Sequence, residues 1–77
     1  MKELLEAIVK PLVEHPEEVI ITQVDRESSI LLELHVAKTD MGKVIGKQGR
    51  IAKAIRTVMK AAANKDGQKV IVEITEE

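Results

Sequence analysis

The chain has 77 residues, 44% of them hydrophobic and 32% charged, which predicts one globular domain over 1–77 and leaves no room for a second. It holds no Cys, excluding disulfides, thiol nucleophiles and Cys-based zinc sites, and no Phe, Tyr or Trp, excluding modules that stack bases on aromatic rings. The net charge of −1 points to no polyanion, but the distribution of that charge does.

The chain opens Met1-Lys2-Glu3, which is no signal peptide, and nowhere does an apolar run approach the ~20 residues of a membrane span. The expectation is a cytoplasmic protein with no membrane contact. Leu4, Leu5, Ile8, Val9, Leu12 and Val13 follow at helical spacing, with Glu3, Glu6, Lys10 and Glu14 opposite. Pro11 removes a donor late in this pattern and predicts a kink or a restarted last turn before His15-Pro16 ends it. Val19 to Arg26 is rich in β-branched residues and reads as a strand. The turn Glu27-Ser28-Ser29 leads into a clearer one, in which Ile30, Leu32, Leu34 and Val36 alternate with Leu31, Glu33, His35 and Ala37. So short a turn makes the two strands a hairpin.

Thr39 or Asp40 is placed to cap a short helix, Met41 to Ile45. Gly46-Lys47-Gln48-Gly49 breaks it, and a second helix runs from Arg50 to about Asn64. On that helix the basic and polar positions fall in an arc of about 120°, leaving an apolar arc of about 200°. Ile51, Ile55, Val58 and Ala62 occupy its middle and are expected to face a sheet, with Ala54 and Ala61 on one flank and Ala52, Met59 and Ala63 on the other. Asp66-Gly67 turns the chain into a last strand, Val70 to Ile74. The order α-β-β-α-α-β predicts an α+β fold. Its three-stranded mixed sheet has the hairpin antiparallel, the last two strands parallel across the helical crossover, and three helices on one face.

Between Met41 and Lys65 lie seven bases and no acid, a charge of +7; the remainder carries five bases and thirteen acids, a charge of −8. A basic segment on an acidic body is built to meet an anion on one side. Its centre is Val44-Ile45-Gly46-Lys47-Gln48-Gly49-Arg50-Ile51. Two glycines in a turn between helices leave space for an approaching backbone. The second helix offers its N–H groups and positive dipole end there, and Lys47 and Arg50 add full charges. The arrangement suits a sugar-phosphate.

Catalytic and metal readings find no support. Gly42 to Gly46 spans one residue too few for a Walker A loop, and Gln48 stands where Ser or Thr must hold the metal. His15 and His35 read as surface residues, Ser28 and Ser29 have no nearby base, and the neighbours Glu17-Glu18 and Glu76-Glu77 are expected to point apart into solvent. No enzyme activity, cofactor, metal or small-molecule substrate is expected.

On these residues the chain resembles a KH domain of the prokaryotic type, whose helix–GxxG–helix clamps about four nucleotides. Its element order is that of the type II KH fold. The runs Ile8 to Val13, Val44 to Arg50 and Ala54-Ile55-Arg56-Thr57 are most similar to the small bacterial single-KH proteins of the KhpA family. The resemblance implies single-stranded RNA as partner, with Gly46, Lys47, Gln48, Gly49 and Arg50 as the phosphate grip, Lys43 and Lys53 assisting, and Val44, Ile45 and Ile51 lining the groove floor. It also implies an RNA chaperone acting with a Jag-type KH protein, KhpB or EloR, in cell elongation, cell shape and peptidoglycan homeostasis. Pairing with that partner or with a second copy is expected through the helix Arg50–Asn64. Single-stranded DNA stays open as a ligand, and the alternative role is a protein-interaction subunit whose KH fold mainly recruits an RNA-binding partner.

Overall fold

The computed structural model describes residues 1–76, so Glu77 of the terminal acidic pair lies outside the described residues. The elements run α1 (Lys2–Val9), β1 (Ile20–Asp25), β2 (Ser29–Val36), α2 (Met41–Ile45), α3 (Arg50–Lys65) and β3 (Lys69–Glu76). The strand order is β1-β2-β3, with β1 antiparallel and β3 parallel to the central strand. This is the mixed sheet of the α+β fold expected from the sequence.

The alternation in β2 decides the layering. Ile30, Leu32, Leu34 and Val36 are buried, and each pairs inward with residues of the flanking strands, such as Leu34 with Ile21 and Leu32 with Val72. Leu5 and Val9 of α1, Val44 of α2, and Ile55 and Met59 of α3 close over this face in one cluster. Removing each such side chain from water contributes about 2 kcal/mol. The opposite face stays open. There Val24, Leu31 and Ile71 form one cross-strand row, and the parallel register sets Glu33 directly beside Glu73 in the next.

Three expectations are revised. The first helix ends at Val9 and restarts, as expected at Pro11, in a separate 3₁₀ turn, Lys10–Leu12, because proline cannot supply the next helical donor. Leu4 and Leu12, expected on its apolar stripe, are 37% and 40% exposed. The buried face of α3 is Ala52, Ile55, Met59 and Ala63, whereas Val58 is 49% exposed. The helix is rotated toward α1, which packs against it, so one of the two small-residue flanks becomes core. Finally, no side chain caps α2, and Asp40 has another task.

Asp40 is fully buried. Its two carboxylate oxygens accept the backbone N–H groups of Glu14 at 3.1 Å and His15 at 3.0 Å. The acid thereby fastens the segment between α1 and β1 to the start of α2. Asp40→Ala strands both amides, and hydrogen bonds to a charged group contribute about 1.5–3 kcal/mol each. The expected outcome is a loss of about 3 kcal/mol in urea unfolding, with Asp40→Asn, which keeps one acceptor, losing about half as much.

Candidate nucleic-acid interface

The turn after α2 is held by backbone conformations that few residues adopt. Gly46 has φ 72° and ψ −179°, Gln48 has φ 57° and ψ 26°, and Gly49 has φ 73° and ψ 16°. The first lies in a region open essentially to glycine alone, and the second places a non-glycine residue in the left-handed region. Space reinforces conformation at Gly46, where a Cβ would lie 2.6 Å from Ile51 Cγ1. Ile51 folds back under the turn and packs against the core, so turn and helix are fixed to each other. Gly49 faces open space and is glycine for its φ only. The turn closes through Gly49 N–H to Gly46 O at 3.3 Å and Arg50 N–H to Lys47 O.

No side chain caps α3. The Arg50 amide is taken by Lys47 O, but the positive end of the helix dipole points to the place where the chain displays its cations. Lys47, Gln48, Arg50 and Lys53 are exposed. Among the described residues neither Lys47, Arg50 nor Lys53 enters an ion pair. Lys43 differs, because its Nζ lies 3.7 Å from Glu14 Oε1 in an exposed pair. Such pairs contribute at most about 1 kcal/mol, so Lys43 can be released but is not free.

The expected groove floor is corrected at one position. Val44 is fully buried and belongs to the core, since α2 turns its one inward residue to the sheet. Ile45 and Ile51 remain partly exposed. On α3, Arg56 bends toward the sheet and its Nε donates to Val72 O at 3.2 Å. Farther along, a cavity of about 550 Å³ opens between Lys60 and Asn64 of α3, Lys69 at the start of β3, and Ser28 and Ser29 of the hairpin turn. Sequence reasoning missed Lys69 and the two serines as neighbours of Lys60, because only the parallel placement of β3 brings them together.

Residues read as ordinary surface behave as such, with one adjustment. Glu17 and Glu18 do not point apart; they lie in a 3₁₀ turn and converge on His15 Nδ1, at 3.4 and 3.8 Å. All three remain at the surface. His35 Nδ1 sits 2.9 Å from Thr75 Oγ1 on the open sheet face.

Comparison with known proteins finds a family and close relatives. The family model described as "KhpA/KhpB, KH domain" matches residues 2–74. A protein of Clostridium acetobutylicum named RNA-binding protein KhpA is 66% identical over 74 residues, covering 96% of this chain and 99% of its own. A Listeria monocytogenes protein of the same name is 55% identical over 76 residues, covering 99% and 100%. One from Chlamydia muridarum is 53% identical over 77 residues, covering 100% and 99%.

The two glycines separate in a mutational test. Gly46→Ala meets both a forbidden conformation and Ile51, and is expected to lower the melting temperature more than Gly49→Ala, which meets strain alone, about 1–2 kcal/mol. Thermal melts of the two variants side by side check the order.

Proposed function

The chain belongs to the KhpA/KhpB KH-domain family, and from that premise we propose that it binds single-stranded RNA in the turn Gly46–Arg50. The family is one of RNA-binding KH proteins and not of enzymes. The observation that carries the reading is the start of α3, without a side-chain cap, at a turn whose cations Lys47 and Arg50 enter no ion pair among the described residues. A phosphate settles over the turn, where the absence of Cβ atoms at Gly46 and Gly49 lets its oxygens approach the backbone amides. Lys47 and Arg50 neutralise the charge, Gln48 serves a sugar or phosphate oxygen, and Lys53 assists from the next helical turn. Ile45 and Ile51 meet base faces in place of aromatic rings. Such a turn clamps about four nucleotides.

The same reading extends to the cell. One KH domain over 1–77 that grips RNA without chemistry suits an RNA chaperone in the cytoplasm. No helix among the described residues is long and apolar enough to cross a membrane. We assign it a role beside a Jag-type KhpB partner in cell elongation, cell shape and peptidoglycan homeostasis; the description of the matching family, which spans both KhpA and KhpB, supports the pairing. An adaptor that only recruits another RNA-binding protein has no need of a strained, glycine-dependent cationic turn.

A second surface favours self-association or pairing with that partner. With Ala52, Met59 and Ala63 taken by the core, the free flank of α3 is Ala54 and Ala61 beside Val58, which is 49% exposed. Small residues let a second helix approach closely, and two linked grips gain avidity without a new type of contact.

Replacing Lys47 and Gln48 together by Asp reverses charge at an exposed turn. Affinity for single-stranded RNA is expected to fall at least about tenfold, or 1.4 kcal/mol, with circular dichroism and melting unchanged; equal binding by the folded variant would falsify the assignment. With about three phosphate contacts, log K against log[salt] should run near −2 in the wild type, and less steeply in the variant.

For the helix surface, light scattering at micromolar concentration should show Ala61→Glu converting a dimer to a folded monomer. Met59→Glu, which drives a charge into the core, should instead unfold the chain. A monomeric wild type that co-purifies with no KH protein removes this pairing.

A further inference from the structure

The open face of the sheet is banded by charge. Alternation turns Thr22 and Val24 of β1, Leu31 and Glu33 of β2, and Ile71 and Glu73 of β3 away from the helices. Val24, Leu31 and Ile71 form a row across all three strands, with Val24 39% and Ile71 49% exposed. In the next row on one side stand Thr22, Glu33 and Glu73. In the next row on the other side Ser29 pairs with Lys69, and Arg26 extends the ladder by donating its N–H to Ser29 O at 2.8 Å. The face thus carries a row with two bases, an apolar row and a row with two acids, in that order. Among the described residues, none of Arg26, Glu33, Lys69 and Glu73 enters an ion pair.

We propose that this face docks on the same face of a second copy of the chain, at an interface separate from the α3 surface above. The order of the rows selects this occupant. Two sheets packed face to face by a two-fold axis along the apolar row set Val24, Leu31 and Ile71 against their own counterparts, and the same axis exchanges the two outer rows. Glu73 then stands over the second copy's Lys69, and Lys69 over its Glu73. Glu33 falls between the second copy's Arg26 and Lys69. Outer rows of one sign would repel their own copy under that axis, whereas rows of opposite sign attract it twice. Packed sheets lie about 10 Å apart, a gap that apolar side chains fill and that long Lys and Arg side chains span. Docking also relieves the juxtaposition of Glu33 and Glu73, since each acid gains a facing cation. Area limits the strength. Three strands about 4.8 Å apart fall well short of the ~800 Å² per partner of a standard interface, so the pair is weak and populated near millimolar concentration.

The test is sedimentation equilibrium up to about 1 mM protein at low salt, in an Ala61→Glu background that removes pairing through α3. The background is expected to form a dimer that weakens as salt is raised. Lys69→Glu and Glu73→Lys should each weaken it at least about tenfold, because each sets like charges face to face at two places. Combined in one chain, the two changes restore both pairs at unchanged net charge, and affinity should return to within about threefold of the background. An equimolar mixture of the two single variants should form a one-to-one pair that neither forms alone. A background that stays monomeric overturns the proposal. So does undiminished association of either single variant, or a folded combined variant and a mixture that both fail to recover it. If a charge variant does not melt cooperatively, Ile71→Thr carries the comparison, since it thins the apolar row at the axis and keeps a β-branched residue in the strand. Association by folded Ile71→Thr as strong as the background's also overturns the interface.

Discussion

A single carboxylate sealed from water fixes where the rest of the molecule points. Burying an unpaired charge is costly, and Asp40 escapes that cost because two backbone amides, from Glu14 and His15, each bond to one of its oxygens. The consequence reaches well past the bond. Helix α2 has only five residues, far below the length at which a helix persists by itself, so its direction must be imposed from outside. Asp40 at its start and Val44 in the core impose it together. The glycine turn then begins where α2 ends, and its position follows from a clamp made by a residue 6 positions earlier in the chain.

At the turn itself, conformation and electrostatics ask for the same thing. Positive φ values at Gly46, Gln48 and Gly49 sharpen the corner enough for α3 to start at once, which brings the positive end of its dipole to the corner's edge. Ile51, lodged against Gly46, prevents the corner from relaxing. The strain is local, and the buried cluster beneath supplies the rigidity that sustains it. A loop of the same composition without this backing would be a flexible run of polar residues, and its charges would not converge.

Much of this was legible in the sequence because it is written in short-range patterns. The alternation of β2 named the core face, and the glycine spacing named the corner. Pro11 marked the end of the first helix, though not the turn at which it ends. What the sequence hid depends on residues far apart. Asp40 looks like a helix cap, and nothing local reveals that its partners lie 25 and 26 positions away. The inward face of α3 was ambiguous because an apolar arc of about 200° admits more than one rotation, and only the placement of α1 selects Met59 over Val58. Val44 was misassigned for a related reason, since a β-branched residue beside a glycine turn serves a groove or a core equally well until the sheet is in place. Lys69 lies outside the basic segment, and its approach to Lys60 is a product of the crossover.

The open face of the sheet bears on how an encounter begins. Parallel pairing of β2 with β3 seats Glu33 and Glu73 side by side there, two like charges that local pairing would disfavour. They stand on the side of the molecule away from the helices and from the cationic turn, so the open sheet face is locally negative. A polyanion diffusing toward that side is turned back, and one approaching the helices is drawn in, so collisions are sorted by orientation before any atom touches. Glu33 and Glu73 thus act on the frequency of productive arrivals, a kinetic quantity, and stand apart from the grip itself. Their reach is about 8 Å at physiological ionic strength, which confines the effect to the last approach and makes it fade as salt is raised.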